Sequence, residues 1–184
     1  PVGSFLDNKR VVLVAAPHQS GKDEYLMILI ILALDVDVCY LSAKWTMRRI
    51  PNPFEKSKDI DDQGIKWPLG WLQEIIFRKF GAIPVDRKGN SGQYDSVIEE
   101  LKKRDSFLLI VTPEGRFDAT RFRTSFLFIA KELNAEVMPV QIDYENEIFN
   151  ILESFNIEGD TESVVKNLRL KFDGIKGKKS RFKA

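Results

Sequence analysis

The chain of 184 residues carries 28 Lys and Arg against 27 Asp and Glu, a balance that argues against a dedicated nucleic-acid binder, which needs concentrated positive charge. Apolar residues make up 43% and charged residues 30%, which excludes disordered and fibrous classes and suits a single globular domain over residues 1–184. One cysteine, Cys39, rules out an internal disulfide and any four-thiolate metal site.

Val11 to Ala16 is an unbroken apolar run ending at Pro17, the pattern of a strand covered on both faces. After a polar turn, Asp23 opens a predicted helix to Leu34 that is apolar all round, and so is expected deep in the core or against lipid. Val36 to Ser42 alternates as a second strand and holds Cys39 as a buried thiol. Lys44 to Gly64, polar with two prolines, reads as a long loop. Pro68 to Phe80 predicts a helix closed by Gly81, followed by a short strand, Ala82 to Val85, and a charged turn, Asp86 to Gly89. Asp95 to Arg104 predicts an amphipathic helix and Phe107 to Thr112 another buried strand, stopped by Pro113. Arg121 to Leu133 puts Phe122, Phe126, Ile129, Ala130 and Leu133 on one helical face, with Asn134 as terminator. Val137 to Ile142 is strand-like, Ile148 to Leu152 weakly so, and Glu162 to Phe172 is the last predicted helix. Strands alternating with helices predict an α/β sandwich around a mainly parallel central sheet flanked by helices.

His18 is the only histidine, so a mechanism that needs an imidazole must use it. It follows a buried strand, where α/β proteins place ligand sites. Asp23, five residues on, would meet it only if the intervening residues turn back, and would then hold the ring tautomer and stabilise an imidazolium. By itself His-x4-Asp is a weak signal, since a lone histidine near a strand end is structural more often than catalytic. Ala16 to Asp23 also imitates a phosphate-binding loop, but the first glycine is replaced by Ala16 and the magnesium-reaching hydroxyl by Asp23. From Lys166 onward, eight basic residues face one acid, Asp173, which suits either an anionic lipid surface or a frayed, solvated terminus.

Three further blocks stand in order behind His18-x4-Asp23. They are Gly81-Ala-Ile-Pro-Val-Asp-Arg87, Val111-Thr-Pro-Glu-Gly115 and Val137-Met-Pro-Val-Gln-Ile142. Together, from about Val11 to Ile142, they resemble the glycerolipid acyltransferase family, the His-x4-Asp enzymes that include bacterial 1-acylglycerol-3-phosphate (lysophosphatidic acid) acyltransferases. A weaker echo continues in Glu158-Gly-Asp and Gly174-Ile-Lys-Gly-Lys178.

The resemblance implies that His18 is the general base and Asp23 its partner, and that Arg87 binds the acceptor phosphate. It implies that Glu114 and Gly115 shape the acceptor pocket and that Lys44 adds charge to the phosphate site. Relatives read Pro-Glu-Gly-Thr-Arg where this chain reads Pro113-Glu-Gly-Arg116, so Arg116 takes the family arginine's place after a one-residue deletion. Arg123 and Ser125 stand where relatives commonly have Lys and Gly. The implied donor is acyl-CoA or acyl carrier protein, with no metal and no bound cofactor, and the acceptor is glycerol phosphate or a lysophosphatidic-acid-like molecule. An amino-acid lipid or other lysolipid as acceptor, or a lipid-binding module without catalysis, are the alternatives. No signal peptide is visible, and the longest apolar run, Tyr25 to Leu34, is shorter than the about 20 residues that span a bilayer. The expected location is therefore cytoplasmic, peripheral on the inner face of the membrane. Trp45, Trp67, Trp71 and Phe54, near Lys44, Arg48 and Arg49, suit either a membrane-facing edge or, as for most such aromatics, the core.

Overall fold

Alternation within an unbroken apolar run fixes the centre of the molecule. In strand β1 (Arg10–Ala16), Val12, Val14 and Ala16 join one buried cluster, while Val11, Leu13 and Ala15 join another. Successive strand side chains point to opposite faces, so β1 is covered on both sides, as strands of a parallel sheet are. The computed structural model describes residues 8–20, 23, 38–50, 64–85, 94–114 and 122–183. Its main sheet comprises β1, β2 (Val38–Ala43), β5 (Ala82–Val85), β6 (Phe107–Val111), β7 (Glu136–Asp143) and β8 (Ile148–Ile151), in the spatial order β5-β2-β6-β1-β7-β8. Every pairing is parallel except β7 with β8. The architecture is thus the α/β class expected from the sequence.

Helices α2 (Asp95–Lys102), α3 (Ser125–Glu132) and α4 (Thr161–Leu170) bury Val97, Leu101, Phe126, Ile129 and Leu168 in the first cluster. Each such aliphatic or aromatic side chain contributes about 1.5–3 kcal/mol when fully buried. The second cluster covers the other face and, among the described residues, is built of strand side chains such as Leu108, Ile110, Met138 and Val140, with Tyr144 packed against it. The helix predicted from Asp23 to Leu34 lies outside the described residues apart from Asp23 itself. Asp160 caps α4 by accepting the Ser163 N–H at 2.9 Å. Asn134 takes a left-handed φ of 49° and ends α3, as predicted.

Three sequence expectations are corrected. The segment from Lys44 is not simply a loop. It opens with a 3-10 turn (Lys44–Met47), after which β3 (Arg49–Ile50) pairs antiparallel with β4 (Ile65–Lys66). Helix α3 starts at Ser125 rather than Arg121, because the Arg123 N–H donates to Pro113 O at 2.8 Å and holds that stretch outside the helix. Phe122 reaches the core all the same, its ring centroid 5.8 Å from that of Phe172 and 5.3 Å from that of Phe182. Finally, the terminus is not frayed. Lys176 bridges to Arg181, Gly174 N–H and Phe182 N–H tie back to Phe182 O and Ile175 O, and Phe182 is buried. The Arg169 guanidinium lies over the Phe122 and Phe182 rings, and Arg181 pairs with Glu145, so two of the eight basic side chains hold this hairpin in place.

Candidate active site

Because β1, β6 and β7 are neighbours and parallel, the residues that follow them emerge together at one edge of the sheet. His18 follows β1 and Glu114 follows β6, while Tyr144 follows β7 directly. The peptide between Ala16 and Pro17 is cis. Beyond His18 the chain turns back on itself, the Asp23 N–H donating to Ser20 O at 3.0 Å. That turn folds the Asp23 carboxylate over the loop it has just left.

Asp23 is fully buried and its two oxygens are used differently. Oδ2 accepts the backbone N–H groups of Gln19 and Ser20 at 2.8 and 2.9 Å and lies 3.2 Å from Nδ1 of His18. Oδ1 accepts the Tyr144 hydroxyl at 2.5 Å. The spacing of five residues is thus what a single turn needs for the carboxylate to reach both the ring and the backbone between them. Burial alone would raise the Asp23 carboxyl, but the nearby His18 ring and hydrogen bonds from Tyr144, Gln19 and Ser20 outweigh it and hold the group below its ordinary range. The carboxylate is charged at neutral pH. Burial, and then the hydrogen bond to Asp23, push the Tyr144 hydroxyl up to about 12, so it stays a donor.

Glu114 is buried beside this pair. Its Oε1 accepts the His18 backbone N–H at 3.2 Å, and its Oε2 has no protein hydrogen-bond partner among the described residues. Desolvation pushes the Glu114 carboxyl up to about 7, the Asp23 charge adding to it and the His18 N–H opposing it. Two carboxyl groups with acidities driven apart mark a site where one stays ionised and the other can hold a proton. The sign of the linkage is definite: the folded chain binds the Glu114 proton more firmly than the unfolded one, so stability falls as pH rises from about 4.5 to about 7. Glu114→Gln keeps an acceptor for the His18 N–H and loses that slope. The melting temperature of the variant relative to the wild type is expected to climb between about pH 5 and pH 8. A difference that stays flat across that range would show that Glu114 does not titrate there.

The loop is braced from the far end of the chain. Gln19 Oε1 accepts the N–H groups of Lys179 and Ser180 at 2.8 and 2.9 Å, and its Nε2 donates to Ser180 Oγ at 3.1 Å. A Cβ at Gly177 would lie 2.6 Å from Gln19 Oε1 and 2.8 Å from Pro17 Cγ, so only glycine lets the hairpin seat here. Tyr144 is braced by the same hairpin, its N–H donating to Lys176 O at 2.8 Å.

Of the residues singled out by sequence, the fold brings His18, Asp23 and Glu114 together. Lys44 opens the 3-10 turn after β2, two strands from β1 on the same edge, with its side chain exposed. Arg87, Gly115 and Arg116 lie outside the described residues. Tyr144 and Gln19 were missed. For Tyr144 the available signal was its place directly after the third parallel strand block; for Gln19 it was the glycine-spaced Gly174-Ile-Lys-Gly177 segment. Compared with models of known protein families and with curated proteins, the chain matches none of them.

Proposed function

We propose that this chain moves a fatty acyl group from the thioester of acyl-CoA or acyl carrier protein to a hydroxyl of a glycerol-phosphate or lysophosphatidic-acid-like acceptor. The observation that carries the reading is the His18–Asp23 pair, 3.2 Å apart, with a fully buried carboxylate that accepts hydrogen bonds from Gln19, Ser20 and Tyr144. With Nδ1 facing Asp23 at 3.2 Å, we assign Nε2 as the basic nitrogen. It takes the proton of the acceptor hydroxyl as that oxygen attacks the thioester carbonyl. The C–O bond forms, the C–S bond breaks, and the imidazolium returns its proton to the departing thiolate. A thioester is already activated, so positioning and proton removal are the main demands on the protein. A binding module has no use for an imidazole backed by a buried anion, which favours catalysis over lipid carriage.

Arg87, by resemblance, holds the acceptor phosphate, the guanidinium fork suiting a bidentate anion. Such an acceptor implies reversible contact with a bilayer, and no helix among the described residues is long and apolar enough to cross one. The test is mass spectrometry of lipids after incubating the chain with mixed acyl donors and acceptors. A new ester on a phosphate-bearing glycerol is the expected product. Transfer confined to an amino-acid lipid or to another lysolipid would change the acceptor, and no transfer at all would leave the chemistry without support.

A further inference from the structure

Helix α1 (Gly70–Lys79) is amphipathic the wrong way round for a helix packed on a core. At about 100° per residue, Trp71, Leu72, Ile75 and Ile76 share one arc of roughly 140°, and all four are exposed, Trp71 by 57%. Phe80, just past the end of the helix, is 60% exposed. The inward side carries Gly70, Gln73, Glu74 and one half-buried aromatic, Phe77. Gln73 donates from Nε2 to Thr46 O at 2.7 Å and to Arg49 O at 3.1 Å, and accepts from Trp67 Nε1 at 2.8 Å. Glu74 pairs with Arg48 and Arg78. Gly70 lies so close to the turn that a Cβ there would be 2.5 Å from Arg48 O. The helix is therefore fastened mainly by polar contacts and presents most of its apolar side chains outward, and Leu69, just before it, is exposed as well. Trp45 and Trp67, expected from the sequence to share such an edge, are half-buried, and Phe54 lies outside the described residues.

An exposed apolar surface of this size needs an occupant, and the charge around it selects one. Residues 44–50 and 64–80 contain Lys44, Arg48, Arg49, Lys66, Arg78 and Lys79 against one acid, Glu74. A second copy seated on the face would bring these cations against their own likes, whereas an anionic bilayer meets them with opposite charge. Gly70 packs on the backbone just past β2, so the first turn of α1 lies at the sheet edge that carries His18.

We infer that the outward face of α1, with its basic rim, is the surface by which this chain docks on an anionic membrane. The inference rests on the membrane contact implied by acyl transfer to a lipid and gives it a location, which is α1 rather than the basic terminus. Apolar side chains enter the interfacial layer and the rim meets acidic headgroups, as in helices that lie in the plane of a bilayer.

Co-sedimentation with vesicles tests it. The full chain is spun with vesicles of equal parts phosphatidylglycerol and phosphatidylcholine, and with pure phosphatidylcholine, at low and physiological salt. Wild type is expected to pellet with the anionic vesicles, less so as salt rises. The double variant Trp71→Gln, Ile75→Gln is expected to lose at least tenfold in partitioning with an unchanged circular dichroism spectrum. Leu72→Gln with Ile76→Gln gives the same reading should the first pair fail to fold. Neutralising Lys178 and Lys179 is expected to leave most of the binding intact. Equal pelleting of wild type and α1 variants overturns the inference. So does a wild-type dimer that the variants dissociate without any vesicle binding. Turnover on a short-chain, water-soluble acceptor is measured alongside. If it persists while docking is absent, only the surface is wrong; if docking holds without turnover, the chemistry is wrong.

Discussion

His18→Ala is expected to cut acyl transfer by at least two orders of magnitude while leaving the melting temperature within a few degrees. The ring is the only imidazole in the chain, so no neighbour can take over as base. A positioned base contributes about 10²–10⁴-fold. Its main-chain N–H, not its ring, holds Glu114, and that contact survives truncation of the side chain. Steady-state rates on purified, folded protein decide the matter. A variant that keeps more than about a tenth of wild-type turnover would remove His18 from the reaction.

The second large effect belongs to Asp23, and it should appear in two measurements at once. Asp23→Asn preserves the shape and removes the charge that stabilises an imidazolium, so turnover is expected to fall by about two orders of magnitude or more. Folding should suffer too. The Asp23 carboxyl is held below its ordinary range in the folded chain, so its contribution to stability is fully present above the unfolded value. That contribution is lost as pH falls through the folded one. The wild type is therefore expected to be more stable than Asp23→Asn at neutral pH, with the gap closing toward the acid limit. Tyr144→Phe removes one of the three hydrogen-bond donors to the carboxylate and is expected to cost about tenfold in rate, the scale of one hydrogen bond to a charged group. A Tyr144→Phe loss as deep as that of Asp23→Asn would mean that the hydroxyl does more than steady the carboxylate. An unchanged rate would leave it without a part in the site.

Much of the fold was open to inspection in the chain itself, for a physical reason. Strands covered on both faces must be apolar at every position, so Val11 to Ala16 and Phe107 to Val111 announce themselves without any partner being known. The nearness of Asp23 to His18 was also legible, because it is settled within one turn. The rest depends on contacts that leave no local trace. Phe122 fitted the helical spacing of its neighbours and is buried with them, but periodicity reports which way a side chain faces and not the backbone that carries it. The β3–β4 ladder is two residues long on each side, too short to alternate visibly. Tyr144 reaches Asp23 across 121 residues of sequence, a meeting that only the parallel order of β1 and β7 makes possible. Helix α1 was foreseen from its breakers, whereas its orientation follows from Gln73 bonding the carbonyls of Thr46 in the 3-10 turn and Arg49 in β3.

The brace between Gln19 and the hairpin at Lys179 and Ser180 has a consequence for how the molecule is made. Its two ends are separated by 161 residues, and a ribosome delivers them in order. A nascent chain that has already paired β1 with β6 and β7 still lacks the backbone groups that hold Gln19, and the main-chain carbonyl of Lys176 that holds Tyr144. Strand pairing can proceed from the N-terminal side as synthesis advances, but the loop carrying His18 is finished only when residue 180 has emerged. The site is among the last parts of the fold to be assembled, although its central residue is among the first to be synthesised.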